Sequence, residues 1–291
     1  MQNFVHTLNN TKIAFTISMS KTWKIMALLV VGLLGAVSAN AQCPLLNEAF
    51  DSNPVLAPTN TDGAWYPDRY PPAAFESDAG RLKISISAAD GAQLRLPAFS
   101  SGFYNTQGRK FNQCSKCVTV ARADLYIPAD WATNHRRSDI WATAFNSSDM
   151  ISSYPILGFR NVTGSTPNLS YWDGFGWVEL GAPPVYDTWY TLEFRLNGPN
   201  LEYLINNAIV GTISSGGSVY FGNIIMQAFN FNDNTLGVSY DPGSSNSYDA
   251  FWDNLVTTGT GGNVVTNSNT GLKYCTIQAA IDDAATLSGH T

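Results

Sequence analysis

The chain has 291 residues, of which 44% are hydrophobic and 13% are charged, and its formal net charge is −6. Globular proteins usually carry about 25% charged residues, so this composition is typical of an extracellular β-protein rich in uncharged polar side chains. No run of Lys and Arg is longer than the pair Arg136 and Arg137. A surface able to hold a phosphate backbone is therefore not predicted, and nucleic acid is excluded as a partner.

Residues 1–41 are predicted to be a secretory signal peptide. Lys21 and Lys24 precede an apolar run over residues 25–34, and residues 36–41 supply the small side chains of a cleavage site. Met19 stands where such a signal normally begins, so residues 1–18 are expected to be an over-extended start; a long first region of the signal is the alternative. The apolar run is too short for a permanent membrane span. We therefore expect a secreted or cell-surface protein with no membrane span in the mature chain.

Export makes the four cysteines candidates for disulfide bonds. Cys43, Cys114, Cys117 and Cys275 allow three pairings, and the sequence does not choose among them. A structural bond between Cys114 and Cys117 is the favoured interpretation. The alternative is a redox pair or half of a metal site, and it is disfavoured because the chain has no second pair with this spacing.

Residues 42–258 are predicted to form one all-β sandwich domain. Short runs of alternating apolar and polar residues, separated by turn residues, predict strands over 82–87, 92–96, 118–126, 139–145, 155–160, 169–172, 177–180, 189–211 and 222–231. Residues 46–51 and 248–257 are the expected first and last strands, which we expect to lie side by side. The sequence thus predicts about a dozen strands in two packed antiparallel sheets.

Residues 189–211 carry the most informative pattern. Leu192, Phe194 and Leu196 alternate with polar residues before a turn at Gly198, and a second turn is expected at Asn206. This three-strand meander resembles the second half of the concanavalin A-like lectin/glucanase (laminin G-like) jelly-roll family. The resemblance implies a jelly-roll sandwich that handles sugars or other extracellular ligands on its concave sheet, and it leaves the ligand open.

The C-terminal residues differ in character from the sandwich. Residues 259–271, rich in Gly, Thr and Asn, are predicted to be a flexible linker. Beyond them, Ile277, Ile281 and Ala284 or Ala285 share one helical face, with Thr276 as the N-cap. Residues 274–284 resemble the capping helix of pectate-lyase-like right-handed parallel β-helices. The resemblance implies that residues 272–291 cap a β-helix and that the chain is the N-terminal piece of a longer protein.

The paired acids of a jelly-roll glycosidase are not found. Retaining enzymes need two carboxylates about 5 to 5.5 Å apart on one strand face. Glu76 and Asp78 lack the third acid of the usual spelling, and Glu193 and Glu202 lie on opposite sides of a hairpin turn. Glu193 is a candidate catalytic residue if it faces the concave sheet, and a solvated strand residue otherwise.

Lyases of the resembling fold use an Arg to neutralise a uronate and a Tyr or His to move protons. The corresponding candidates are Arg122, His135, Arg160 and Tyr171. His135 lies in the polar segment 131–137, which we expect to be an exposed loop. No lyase motif, Ser-His-Asp arrangement, zinc spacing or nucleotide fingerprint is present, so catalysis by this chain is disfavoured.

Aromatic rings offer an apolar surface to the C–H face of a sugar, and polar side chains bond its hydroxyls. The candidate ligand-binding residues lie in two segments rich in aromatic residues and are Trp65, Tyr66, Tyr70, Tyr171, Trp172 and Trp177. Because neighbouring residues of a strand face opposite sides, only one of the adjacent rings Tyr171 and Trp172 can be offered to a ligand on a given face.

Calcium is the one cofactor that the sequence suggests. Asp51 and Asp253 would meet if the first and last strands pair, and hard cations prefer several oxygen ligands. The alternative is a pair of turn or capping aspartates. Asp233 and Asp241 lie in a polar segment with similar potential.

Three functional hypotheses follow. The leading one is a secreted, non-catalytic carbohydrate-recognition or adhesion module of a larger extracellular protein, with an extracellular glycan or cell-surface ligand as its partner. The first alternative is a polysaccharide-degrading enzyme, either a lyase or glycoside hydrolase of jelly-roll fold or one whose active site lies in the β-helix. The second alternative is a structural spacer domain of a cell-surface adhesin.

Overall fold

The computed structural model describes residues 45–87, 99, 101–113, 116–231, 247–259, 265–271, 273–274, 277–282 and 286–289. Several predicted features lie outside these residues: the signal over 1–41 with Met19, the strand over 92–96, residues 260–264 of the linker, Cys43, Cys114, Cys275, Asp233, Asp241, Thr276, Ala284 and Ala285. Cys117 is disulfide-bonded, and its partner also lies outside the described residues.

The described chain is almost entirely β-structure. In chain order the strands are β1 Asn47–Glu48, β2 Tyr66–Pro67, β3 Ala74–Ser77, β4 Leu82–Ile86, β5 Thr106–Asn112, β6 Val120–Ile127, β7 Arg136–Asn146, β8 Ile151–Ser153, β9 Ile156–Asn161, β10 Asn168–Trp172, β11 Trp177–Glu179, β12 Thr188–Asn197, β13 Asn200–Ile205, β14 Ala208–Ser214, β15 Ser218–Phe229, β16 Tyr248–Thr258, β17 Val265–Thr266 and β18 Lys273–Tyr274. The described residues also include two short 3₁₀ helices, Gly102–Tyr104 and Ala129–Ala132, and one α-helix, α1 (Ile277–Asp282).

The strands form two antiparallel sheets of eight strands each. The first sheet has the order β14-β13-β12-β6-β16-β4-β3, with β1 paired to β16. The second sheet has the order β11-β10-β9-β7-β15-β5-β2, with β8 paired to β7. β17 and β18 form a separate two-stranded ribbon. The prediction of an all-β chain with two packed antiparallel sheets is confirmed.

A single large core lies between the two sheets. Phe194 of the first sheet meets Phe221 of the second edge to face, with 5.2 Å between ring centroids. Polar contacts cross the same interface: the indole N–H of Trp252 donates to the Ser138 hydroxyl at 2.9 Å. The Tyr248 hydroxyl donates to a backbone carbonyl of the second sheet at 2.7 Å, and its burial raises the pKa of Tyr248 well above the ordinary value. The interface is therefore both close-packed and specified by hydrogen bonds.

The first and last strands of the sandwich pair as predicted. Asn47 of β1 lies opposite Val256 of β16, and the Leu46 N–H donates to the Thr257 hydroxyl at 2.9 Å. The meander β12-β13-β14 is also confirmed. Its second turn places Asn206 and Asn207 at φ values of 50° and 67°, the left-handed conformation that two-residue hairpin turns require and that Asn tolerates.

Other predictions need correction. Segment 131–137 was expected to be an exposed loop, but Trp131 is buried in a 3₁₀ helix and β7 begins at Arg136, so Arg136 and Arg137 are buried. Near the C-terminus, the described part of the predicted helix is α1. Ile277 and Ile281, predicted to share one face, are exposed, and Ala280 is buried beside Tyr274. No helix among the described residues is long and apolar enough to cross a membrane.

Replacing Phe194 by Ala should lower the free energy of unfolding by about 3–5 kcal/mol. The ring is fully buried, so its removal leaves a cavity that the surrounding side chains fill only in part. Urea denaturation of the whole protein measures this change. Phe175→Ala is the matched control, since Phe175 is 96% exposed and its loss should leave stability unchanged. Equal effects of the two substitutions would contradict the packing described here.

Candidate functional site

Side chains that point away from the first sheet cover the outer side of the second sheet, which we call the groove face. In β7, Ile140 and Ala142 belong to the core, so Asp139 and Trp141 point to the other side of the sheet. The groove face comprises Lys110, Arg137, Asp139, Trp141, Ile156, Arg160, Trp172, Trp177, Ile225 and Gln227, and Arg69, Phe103 and Tyr104 contact it from neighbouring segments.

Strand register sorts these side chains into parallel rows. One row is mainly apolar and aromatic and runs through Lys110, Ile225, Trp141 and Ile156, with the facing pair Trp172 and Trp177 beyond. The next row is polar and runs through Gln227, Asp139, Gly158 and Ser170. A plate of rings therefore lies directly beside a row of hydrogen-bonding groups.

Asp139 is the centre of the polar row and is fully buried. Its carboxylate accepts hydrogen bonds from Arg137 Nε at 2.6 Å and from Gln227 Nε2 at 2.6 Å, and the Trp141 indole N–H donates to it as well. Gly158 leaves room for this carboxylate, because a Cβ there would lie 2.6 Å from the Asp139 Cβ. Asp139 is thus an anchor with its oxygens committed, and it orients the Trp141 ring.

Arg69 contacts the ring of Trp141. Its guanidinium is 4.6 Å from the Trp141 ring centroid and 4.9 Å from that of Tyr104. It bonds Asp68 at 2.7 Å and the Gln227 side-chain oxygen at 3.1 Å. Burial lowers the pKa of Arg69, while the nearby Asp68 charge opposes that change. Arg69 therefore joins the Asp139 network to the aromatic plate.

Arg137 and Arg160 lie beneath the ring of Trp177. Their guanidinium carbons are 4.7 Å and 4.4 Å from its ring centroid. The pKa of Arg160 is lowered to about 10, mainly because the side chain is buried and also because the positive charge of Arg137 is near. A second cation so close to Arg160 means that positive charge is concentrated under this part of the groove face.

A cavity of about 380 Å³ opens over the plate. Its walls are aromatic and cationic and include Arg69, Tyr104, Lys110, Trp141, Tyr154 and Trp172. Phe103 packs at one side of it, with 5.5 Å to the Trp141 ring and 5.1 Å to the Trp172 ring. This volume is within the range of small-ligand pockets, about 300–1,000 Å³.

A second cavity of about 520 Å³ shares Trp172 and Tyr154 with the first. Its other walls include Phe175 and Asp173, the serines Ser152 and Ser153, and the first-sheet side chains Leu201, Tyr203 and Ile213. The turn that carries Phe175 is fixed by Asp173, whose carboxylate accepts from the N–H groups of Phe175 and Gly176 at 2.8 and 2.7 Å. These two hydrogen bonds lower the pKa of Asp173. The two cavities together can receive a ligand longer than one sugar unit.

The six aromatic residues predicted to bind a ligand fall into different environments. Trp172 and Trp177 lie on the groove face, with 5.6 Å between their ring centroids. Tyr66 lies in β2 opposite Lys110, and its hydroxyl donates to Asn112 at 2.6 Å. Burial raises its pKa to about 12. Tyr66 is 8% exposed.

The other three rings are unavailable to a ligand. Trp65 is 1% exposed and packs against Phe75 and Phe111 in the core. Tyr171 stacks on Tyr203 in the same core at 4.6 Å. Tyr70 is buried and its hydroxyl donates to the side chain of Asn105. In each case, burying the large apolar ring stabilises the fold, so these residues belong to the core and not to a binding surface.

The residues considered for catalysis do not converge. Arg160 lies on the groove face, but Tyr171 is in the core and His135 is near Phe231, with ring centroids 5.8 Å apart. Arg122 lies opposite Glu193 on the outer side of the first sheet. Glu193 therefore faces away from the groove face and is 3.6 Å from Arg195.

The other acids considered in the search for a catalytic pair, Glu76, Asp78 and Glu202, lie on or beside strands of the first sheet. Glu76 pairs with Lys83 at 2.7 Å, and Glu202 pairs with Arg195 at 2.6 Å. Asp78 lies 3.5 Å from Arg81. Each carboxylate has a cationic partner far from the groove face, so none of them forms a catalytic pair across a bound glycan.

The calcium prediction rests on Asp51 and Asp253, and the structure brings the two near each other. Burial raises the pKa of Asp253, and the charges of Asp124 and Asp51 add to this effect. The oxygens of Asp124 already accept from Thr191 and Asn254. Within the described ranges, no group of three or more His, Cys, Asp or Glu side chains is arranged to hold a metal. These donors do not fit a calcium site, and no step is assigned to the ion.

The sequence analysis did not single out Arg69, Asp139 or Gln227 as site residues. One signal was available: Arg137, Asp139 and Trp141 alternate at the spacing of two that places them on one strand face. No sequence pattern indicates which residues of other strands contact Asp139. Gln227 is 88 positions away from it in the chain.

No model of a known protein family matches the chain, and no curated protein matches it. Among solved structures, it is similar to a Bacillus licheniformis β-glucanase, with 13% identity, a TM-score of 0.42, and coverage of 75% of this chain and 99% of the other. It is also similar to an alginate lyase in complex with an alginate trisaccharide, with 10% identity, a TM-score of 0.48, and coverage of 76% and 100%. A Clostridium perfringens endo-β-galactosidase matches with 11% identity, a TM-score of 0.48, and coverage of 79% and 68%. All three TM-scores are below 0.5, so these similarities carry no argument about the site.

Replacing Asp139 by Asn should lower the free energy of unfolding by about 3–5 kcal/mol, because Arg137 would be left as a buried charge without its carboxylate. Chemical denaturation measures the change. Glu193→Gln is the control: it breaks the looser contact with Arg195 on the other sheet, and it should cost about 0–1 kcal/mol. A loss for Asp139→Asn no larger than the control would show that the buried ion pair does not anchor the groove face.

Proposed function

We propose that this chain is a secreted carbohydrate-recognition module that binds a glycan chain along the groove face. The observation that carries the proposal is the half-buried ring of Trp172, which lines a cavity together with the polar side chains of Lys110 and Asn223. Trp141, 3% exposed, belongs to the buried layer of the same groove face. Sugars present an apolar C–H face and a rim of hydroxyls, so a ring beside fixed donors and acceptors matches both parts.

The groove is suited to a chain and not to a single sugar. Trp172 and Tyr154 line both cavities, so a ligand lying over them reaches from Trp141 on one side to Phe175 on the other. Phe175 is almost wholly exposed, as expected of a ring that packs against a ligand and not against the fold. An exposed apolar surface that continues the cavity supports recognition of an oligosaccharide or polysaccharide.

The proposed module binds without cleaving. The groove face has two buried carboxylates among the described residues, and both are engaged by cations. Asp139 is bonded to Arg137, and Asp68 is bonded to Arg69 and Lys110. These cations neutralise both carboxylates. The exposed acid of β11, Glu179, lies three strands from Asp139, about 14 Å at the usual strand spacing, so these two acids are too far apart to flank one glycosidic bond.

The domain arrangement is part of the proposal. We infer that residues 1–41 are a signal peptide, that residues 42–258 form the sandwich, and that residues 259–271 link it to a β-helix cap over 272–291. The exposed side chains of Ile277 and Ile281 support this arrangement, because a cap offers an apolar face to the coil that it covers.

Trp172→Ala should weaken glycan binding by about 2 kcal/mol, roughly thirtyfold in Kd, because it removes the ring shared by both cavities. Affinity electrophoresis or calorimetry against polysaccharides identified by a glycan array measures the change. Trp189→Ala is the matched control: Trp189 is a partly exposed ring stacked on Tyr126 on the first sheet, with 5.4 Å between centroids. Equal binding by the two variants would contradict the proposed site, and the absence of any glycan ligand would favour the structural spacer.

One observation supports a second candidate function, a polysaccharide lyase. Arg69 and Tyr104 both line the first cavity, and the guanidinium is 4.9 Å from the phenol ring. A lyase needs a cation to neutralise the uronate and a group that takes its α-proton. Incubating the protein with polyuronates and following the absorbance of the unsaturated product tests this. We expect no product; product that is lost in Tyr104→Phe would replace the binding module by the enzyme.

A further inference from the structure

The charge of the groove face contrasts with that of the whole chain. The protein is acidic, with a formal net charge of −6. The groove face, however, has four cations, which are Arg69, Lys110, Arg137 and Arg160. The same face has two buried carboxylates, Asp68 and Asp139. A third carboxylate, Glu179, is exposed on the edge strand β11. Four cations therefore stand against three carboxylates, which leaves this face slightly positive in a protein that is acidic overall and favours an anionic ligand there.

Several of the cationic donors are buried without a hydrogen-bond partner among the described residues. They are Nη2 of Arg137 and Nε of Arg69 and Arg160. The side chain of Arg137 is only 4% exposed. Asp68 Oδ2 is likewise buried without a hydrogen-bond partner among the described residues. These atoms lie too deep for a ligand to bond them, so the arginines act on an anion in the cavity through their charge.

Lys110 is the cation that a ligand reaches most directly. Its side chain is 24% exposed, and its ammonium is 2.9 Å from Asp68. An ammonium has three donors, and Asp68 is the one acceptor that holds it in an ion pair within the described chain. Asp68 is also bonded to Arg69. One carboxylate thus faces two cations, which leaves Lys110 able to bond a second anion at the wall of the cavity.

We propose that the groove face selects anionic glycans, whose carboxylate or sulfate groups are bonded by Lys110 while Arg69, Arg137 and Arg160 supply the surrounding positive charge. This inference rests on the proposed function and narrows its ligand class. The aromatic plate packs against the sugar ring, and Lys110 selects rings that carry an anionic substituent. The lining of the second cavity has one carboxylate, Asp173, and no cation among the described residues, so neighbouring units of the ligand need not be acidic.

Two pairs of polymers test the inference because each pair differs only in its charge. Polygalacturonate is compared with its methyl ester, and dextran sulfate with dextran, using calorimetry on the full protein. We expect at least one charged member to bind about tenfold or more tightly than its neutral counterpart, which corresponds to one charge-assisted hydrogen bond. The pair that responds distinguishes a carboxylate from a sulfate. Affinity for the charged member should fall as salt is raised from low to physiological concentration.

Lys110→Gln should remove most of that preference, which is measured as the ratio of the charged to the neutral affinity within each pair. Lys83→Gln is the matched control, since Lys83 is 23% exposed and pairs with one acid, Glu76, at 2.7 Å, but on the first sheet. Equal binding within both pairs, or a charged preference that survives Lys110→Gln and does not respond to salt, would overturn the inference. If neutral glycans bind and Trp172→Ala weakens them, the proposed function stands without it. If no polymer binds, both fail.

Discussion

A carboxylate with no exposure to solvent lies in the middle of the second sheet, and the arrangement of the groove face depends on it. Removing such a charge from water costs several kcal/mol unless the protein supplies its hydrogen bonds. Arg137, Trp141 and Gln227 do so for Asp139, and Gly158 leaves the space. Each donor is thereby held in one orientation. The network spans neighbouring strands, so it also fixes which side chains stand next to each other across the sheet.

The consequence for function is a preformed surface. The indole N–H of Trp141 is bonded to Asp139 and its ring contacts Arg69, so the ring cannot turn away when a ligand is absent. Binding sites that are rigid before the ligand arrives lose less entropy on association. The same network concentrates arginines below the surface, and it therefore couples the position of the ring plate to the charge that a ligand meets. A site built in this way recognises a sugar ring and its substituent together.

Much of the fold was predictable from the sequence, and most of the site was not. Alternation over residues 189–211 and the left-handed turn at Asn206 predict the meander directly, because both signals are local. Alternation also says that Tyr171 and Trp172 face opposite sides, but which ring is buried depends on Tyr203 in the other sheet. Segment 131–137 is polar and therefore looked exposed. Its burial follows from contacts with residues distant in the chain: the Trp131 ring meets that of Tyr248, and the Trp131 carbonyl accepts a hydrogen bond from Asn161, 30 positions away.

The central claim is that the outer side of the second sheet, and not the first, is the binding surface. A crystal structure of the protein with a bound acidic oligosaccharide tests this most directly. The account predicts a sugar ring over Trp172 with its anionic group near Lys110. A ligand seated on the first sheet beside Trp189, with the groove face unchanged, would contradict it.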